Sequence, residues 1–220
     1  MNQTLPRRLV AEAIGTAMLL AAVVGSGIMG ERLAAGNLAI ALLANSIATG
    51  GALVALIMTF GPISGAHFNP AVTLMTAWQR GMAWRAVPAY VIAQVSGAFA
   101  GVGIAHLMFG LPLFFASHHV RAGYAQLLAE FVATFGLLAV IRGCDRFQPA
   151  MVPLGIAAYI TAAYWFTSST SFANPAVTLA RSVTDTFAGI RPIDTPGFIV
   201  AQIFGAVVAA ALFRWFDRDT

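Results

Sequence analysis

One six-residue sequence, Asn-Pro-Ala-Val-Thr-Leu, occurs twice in this chain, at residues 69–74 and again at residues 174–179. Asn is a favourable helix N-cap, and proline suits the first helical position because its missing N–H would have no partner there. About ten helix-compatible residues follow each proline, which is roughly 15 Å and half of a ~30 Å hydrocarbon core. Each copy therefore predicts a half-helix whose N-terminus lies near the middle of a membrane.

The surrounding sequence is that of an integral membrane protein. The chain has 220 residues, of which 59% are hydrophobic and 9% are charged, whereas soluble domains carry about 25% charged residues. Residues 33–79 and 147–180 contain no charged side chain, and each stretch is too long for a single span. All twelve cationic residues are arginines near the ends of apolar runs, which favours membrane boundaries over nucleic-acid binding.

The charges and prolines divide the chain into six predicted spans and two irregular segments. The Gly-Pro pair at 61–62 is expected to end the second span, and residues 142–149 are expected to form a polar turn. The irregular segments, 61–68 and 167–173, precede the two half-helices, where they must line water or be buried in protein. The predicted spans are residues 9–29, 37–60, 86–108, 124–141, 150–166 and 195–213.

The second half of the chain repeats the first. Glu12 matches Glu130, and Gln94 matches Gln202, in the same order around the shared motif. Each repeat contains three spans, so the second is expected to enter the membrane inverted. The predicted fold is all-α, with six transmembrane helices, two re-entrant half-helices and inverted repeats at about 7–109 and 124–215 of one domain, 1–220. With six spans both termini lie on the same side of the membrane, and that side would carry eight of the twelve arginines. Because arginines are enriched on the cytoplasmic side, we expect both termini in the cytoplasm.

Inverted repeats with broken helices at mid-membrane form permeation sites in channels and transporters. Backbone carbonyls of the irregular segments would offer acceptors, and the two Asn amides would offer donors, to a small uncharged solute. The positive ends of the half-helices would oppose a cation. The residues of this predicted pore motif are Asn69, Pro70, Ala71, Asn174, Pro175 and Ala176.

Carboxylates inside spans are costly and are usually functional. Glu12 and Glu130 could form a proton relay, as in a coupled transporter, or could accept hydrogen bonds from the irregular segments. Their matched positions favour the supporting role. Ser64 and His67 could suggest an intramembrane hydrolase, but no acid or oxyanion element accompanies them, and no catalytic residue is assigned. His118 and His119 lack a third ligand, so no metal and no cofactor is expected.

Residues 64–73, together with the second Asn-Pro-Ala and one Glu in each half, resemble the aquaporin (major intrinsic protein) family over essentially the whole chain. The resemblance implies a homotetramer, one passive pore in each subunit, and exclusion of ions and protons. The family normally has an Arg directly after the second motif, where this chain has Val177, and Arg181 one turn later is not expected to replace it. By the family's spacing, the other filter positions are Thr49, Ala162 and Ser171.

With Thr49, Ala162, Ser171 and Val177, the resemblance implies a filter of small side chains without a fixed charge. Residues 167–190 look like the bacterial aquaporin branch associated with arsenic resistance, which is found in the inner membrane. The implied solutes are arsenite as neutral As(OH)3, methylated arsenic species, glycerol-like polyols and water. An ion-coupled secondary transporter and a strict water channel remain the alternatives.

Overall fold

The computed structural model describes residues 3–216, and all regular secondary structure in that range is helical. Residues 1–2 and 217–220 of the predicted domain, Arg218 among them, lie outside the described range. Six helices, with the 3-10 turns that precede three of them, are long and apolar enough to cross a membrane. They are α1 (Leu5–Leu33), α2 (Leu38–Ser64), α4 (Val87–Met108), α5 (Tyr124–Phe147), α6 (Val152–Phe166) and α8 (Thr195–Phe216).

The two short helices, α3 (Pro70–Trp78) and α7 (Pro175–Arg181), begin at the prolines of the repeated sequence. They have nine and seven residues, slightly fewer than predicted. The element order of two long helices, one short helix and one long helix occurs twice. The predicted aquaporin-like fold, with six spanning helices and two half-helices, is therefore confirmed.

The long helices pack in the same arrangement in both halves. In the first half α1 packs against α2 and α4, and in the second half α5 packs against α6 and α8. Two glycines at matching positions of the repeats permit close approaches. Gly97 of α4 lies against the carbonyl of Ala13, and Gly205 of α8 lies against that of Phe131, so a Cβ at either position would overlap the partner backbone. Small residues at helix contacts are the usual way to bring membrane helices together.

Two predicted boundaries are wrong. Helix α2 continues through Gly61 and Pro62 to Ser64, so the first irregular segment comprises only residues 65–69. A proline is tolerated in a membrane helix when neighbouring groups satisfy the freed carbonyl, and Gly65 then ends the helix in a left-handed conformation at φ 94°. Helix α5 continues through the predicted polar turn to Phe147, because charged residues at a membrane boundary do not prevent helix formation.

Candidate functional site

The segments that precede α3 and α7 share an unusual backbone. Ala66 and Phe68 in the first segment have φ of 48° and 49°, and Ser171 and Ala173 in the second have φ of 51° and 48°. Left-handed conformations are unfavourable for residues other than glycine and persist only where the surroundings impose them. The structure must therefore hold both segments through strong interactions.

In the first half, the Glu12 carboxylate holds the segment. Its Oε1 accepts hydrogen bonds from Ser64 Oγ (2.6 Å) and the His67 N–H (2.9 Å). Its Oε2 accepts from the Phe68 N–H (2.7 Å) and from Gln94 Nε2 (2.8 Å). A fully buried carboxylate with four donors has its charge compensated by hydrogen bonds, and it fixes the loop to α1 and α4.

In the second half, Glu130 does the same. Its Oε1 accepts from the Phe172 N–H (2.9 Å), and its Oε2 accepts from the Ala173 N–H (2.9 Å) and Gln202 Nε2 (2.6 Å). Gln202 Nε2 also donates to Thr178 Oγ1 of α7 (2.8 Å), as Gln94 does to Thr73 of α3. These contacts occupy each carboxylate with donors of the supporting framework.

The two Asn side chains join the halves at the centre. Oδ1 of Asn69 accepts from the Ala71 N–H, and Oδ1 of Asn174 accepts from the Ala176 N–H, so both cap their helices. Nδ2 of Asn69 donates to the carbonyl of Ala173, and Nδ2 of Asn174 donates to that of Phe68, each at 2.8 Å. Since a primary amide carries two N–H groups, one N–H of each Asn has no protein acceptor within residues 3–216.

Both Asn residues line a narrow cavity of about 90 Å³ between the two halves of the molecule. Its wall is mainly apolar and has few polar groups. The apolar lining includes Leu19, Val23, Leu53, Ile141, Ile156 and Ile160. Ser171 Oγ is buried and has no hydrogen-bond partner among the described residues. Among the predicted filter residues, Thr49, Ser171 and Val177 line this cavity.

The prediction for Ala162 is wrong. Ala162 is exposed on the outer face of α6, whereas Ile160 and Tyr164 line the cavity. Residues two positions apart in an α-helix point about 200° apart around its axis, so Ile160 and Tyr164 lie on the opposite face from Ala162. The Tyr164 hydroxyl lies 3.2 Å from Thr49 Oγ1, which places a large polar side chain where a small one was expected.

Two arginines contact the Phe172 ring near the Ser171 side of the cavity. Arg181 Cζ lies 3.4 Å from the ring centroid, and Arg121 Cζ lies 5.0 Å from it. Arg181 is 2% exposed and lines the cavity. Arg121 comes from the connection between α4 and α5, where burial lowers the pKa of its guanidinium. No sequence pattern indicated the Arg121 contact, because Arg121 is separated from Phe172 by about fifty residues.

The residues of the alternative sites have other partners. Ser64 donates to Glu12, and His67 Nδ1 lies 3.0 Å from Thr73 Oγ1, so Ser64 and His67 do not form a nucleophile–base pair. His118 Nδ1 lies 2.9 Å from Asp185 Oδ2. Residues 3–216 contain no cluster of three His, Cys, Asp or Glu side chains that could hold a metal ion.

Comparisons with known proteins agree on one family. The sequence profile of the Major intrinsic protein family matches residues 2–151 and 147–219. The chain is 60% identical to aquaglyceroporin AqpS of Rhizobium meliloti (strain 1021), over 96% of this chain and 90% of that protein. It is 32% identical to the probable aquaporin AqpM of Archaeoglobus fulgidus over the full length of both. The crystal structure of the aquaglyceroporin from Plasmodium falciparum superposes with a TM-score of 0.71 at 20% identity, over 96% of each chain, and supports the same fold.

Proposed function

The chain belongs to the major intrinsic protein (aquaporin) family, and from this premise we propose that it is a passive channel for small uncharged solutes with a filter that admits more than water. The solutes that we propose are glycerol-like polyols, arsenite as neutral As(OH)3, methylated arsenic species and water. The relative AqpS is named an aquaglyceroporin, which supports passage of glycerol-type solutes.

The observation that carries this proposal is the side chain at residue 177. Val177 lines the cavity on the first turn of α7, where the family resemblance implies an arginine. A valine is shorter than an arginine and has no hydrogen-bond donor in its side chain. We infer that the passage beside Thr49, Ser171 and Val177 is wider than in a strict water channel, although Tyr164 occupies part of its wall.

The polar groups along the cavity support passage of neutral hydroxylated molecules. A solute that leaves bulk water must exchange its hydrogen bonds for others inside the pore. The second N–H groups of Asn69 and Asn174 can donate to a solute oxygen at the centre, and Ser171 Oγ can donate or accept nearer one end. The Glu12 and Glu130 carboxylates already hold framework donors, which favours passive flux over a proton relay.

The assembly and placement that we propose follow from the same family. The channel is a homotetramer with one pore in each subunit, formed by inverted repeats at residues 7–109 and 124–215. It lies in the bacterial inner membrane with both termini in the cytoplasm, the side that carries more of the arginines.

Light scattering from proteoliposomes after an osmotic step tests the function. An impermeant sugar measures water efflux, and glycerol and neutral arsenite measure solute entry, with protein-free liposomes as the control. We expect fast shrinkage, then fast re-swelling with glycerol and arsenite. Shrinkage without re-swelling would identify a strict water channel. Flux that saturates and follows an ion gradient would identify a coupled transporter instead.

A further inference from the structure

We propose that Arg181, held in place by Phe172 and Arg121, is the outer cation barrier and the outer hydrogen-bond donor of this pore, in addition to the positive helix ends at its centre. The inference rests on the proposed channel function and concerns what replaces the arginine that is missing at residue 177. It revises the expectation from the sequence that Arg181 would not do so, because Arg181 lines the cavity. It separates two tasks, since the side chain at 177 would set the width while the charge one turn further along α7 would exclude cations.

Arg181 is placed to act on a solute in the cavity. It lies four residues after Val177, so both side chains project from the same face of α7, about 5–6 Å apart at their Cβ atoms. Both line the cavity. The passing solute would therefore meet the guanidinium and the valine in succession.

The guanidinium of Arg181 is oriented by the protein but is not neutralised by it. Its Nε donates to the carbonyl of Ala188, and its Cζ lies over the Phe172 ring. Neither Nη1 nor Nη2 bonds an acceptor within residues 3–216, and no carboxylate in that range forms an ion pair with it. Since an Arg is always charged, its donors and its positive charge are available to the pore.

Arg121 is a positioning residue for this arrangement. Its Nε donates to the carbonyl of Gly189 (2.8 Å), and its Nη1 donates to that of Ser169 (3.0 Å). Its backbone N–H donates to Asp194 Oδ2 (2.9 Å). These bonds tie the segment before α7 to the segment after it, and thereby fix the Phe172 ring that Arg181 contacts.

The charge near the Phe172 ring is positive. Two guanidinium groups contact one ring, whereas one carboxylate, Glu130, accepts from the backbone N–H of Phe172, so two positive charges stand against one negative charge. A neutral solute oxygen can accept from Arg181, whereas a cation must approach two like charges in a partly dehydrated passage. The class of solute that this site selects is a neutral molecule with hydroxyl oxygens.

The test compares water, glycerol and methylammonium permeability in proteoliposomes that contain the wild type, Arg181→Leu or Arg181→Gln. Gln keeps a polar end near the Ala188 carbonyl, so it serves as the variant more certain to fold. We expect methylammonium permeability to rise by about tenfold or more in both variants, since one charge at close range has at least that effect. Water permeability above that of protein-free liposomes shows that the pore of the variant is folded.

Two further variants sharpen the result. In the double variant Val177→Arg with Arg181→Leu, the charge returns one turn inward, and methylammonium exclusion should be restored while glycerol flux falls. Arg121→Gln should raise methylammonium permeability by less than the Arg181 variants, because the charge on Arg181 remains but is less firmly placed.

The proposal is overturned if an Arg181 variant conducts water and still excludes methylammonium as fully as the wild type does. It is also overturned if both variants lose water permeability although they elute as the wild-type oligomer, because Arg181 would then only keep the pore open. Failure of the channel function itself looks different, since wild-type liposomes would then fail to re-swell with glycerol.

Discussion

The two halves of the molecule are nearly identical at the centre and differ towards the two ends of the pore. At the centre, each half has a Glu, a Gln and a Thr that hold the loop and the half-helix with matching bonds. Away from the centre the matching positions differ. His67 in the first half corresponds to Phe172, and Thr76 corresponds to Arg181. The repeated framework therefore builds the passage, and the differing residues are the ones available to make it selective.

The halves also differ in how many donors each carboxylate holds. Glu12 accepts four hydrogen bonds, one of them from Ser64 Oγ, whereas Glu130 accepts three. The extra bond comes from the last residue of α2, which continues further towards the centre than α6 does. The first half should therefore depend more strongly on its carboxylate.

The largest expected effect is loss of stability when either carboxylate is replaced by an amide. Hydrogen bonds to a charged group contribute about 1.5–3 kcal/mol each, so Glu12→Gln and Glu130→Gln should each lower the free energy of unfolding by on the order of 3 kcal/mol. Glu12→Gln should have the larger effect. Thermal unfolding in detergent measures this, with the exposed Glu31→Gln as control. An unchanged transition, or ion-coupled flux that Glu12→Gln abolishes, would contradict the supporting role.

A smaller effect is expected at the two matched glycines of the helix contacts. A Cβ at Gly97 or Gly205 would overlap a partner carbonyl, and overpacking costs about 1–3 kcal/mol. Gly97→Ala and Gly205→Ala should therefore lower the unfolding temperature by similar amounts. Gly143→Ala is the matched control, because nothing lies within 4 Å of a Cβ there. A large difference between Gly97 and Gly205 would show that the two halves are less alike in packing than their contacts indicate.

The smallest expected effect concerns Asp185, whose position corresponds to Arg80 in the first half. The backbone N–H of His118, and then its imidazole, hold the pKa of Asp185 below its usual range. A carboxylate with a depressed pKa stabilises the folded protein above the ordinary carboxyl pKa of about 4, and this contribution is lost as pH falls through the folded pKa.

Under acid conditions the free energy of unfolding of the wild type should therefore fall by less than about 1 kcal/mol, the usual size for an exposed ion pair. Asp185→Asn should lack this contribution already at pH 7. Unfolding temperatures from pH 7 to pH 3 measure the difference between the two proteins. If the gap between them stays constant down to pH 3, Asp185 does not contribute through its charge.

Much of the framework was predictable because local chemistry determines it. An Asn-Pro pair at the end of an overlong uncharged stretch predicts a capped half-helix, and α3 and α7 begin where this reasoning places them. The matched positions of Glu12 and Glu130 favoured loop support, and their carboxylates do accept loop N–H groups. Helix boundaries were less predictable, because Pro62 and the charged end of α5 are both compatible with helix.

The end of the cavity near Phe172 was less predictable because it depends on the rotation of α6 and on contacts distant in sequence. Spacing from Asn174 selected Ala162, but the direction in which a side chain faces changes by about 100° for each residue, and Tyr164 faces the cavity instead. Arg121 meets Phe172 only because the α4–α5 connection folds over the segment before α7. No periodic pattern marks such a contact.

The most direct test of the proposed filter is the ratio of glycerol to water permeability in Val177→Arg. Val177→Leu, which adds bulk without charge or donors, is the matched control. Stopped-flow light scattering on proteoliposomes should show that Val177→Arg lowers the ratio by about tenfold or more, the discrimination that small steric changes achieve. Val177→Leu should lower it less. Equal loss of both permeabilities, or no change in either, would contradict the assignment of residue 177 to the filter.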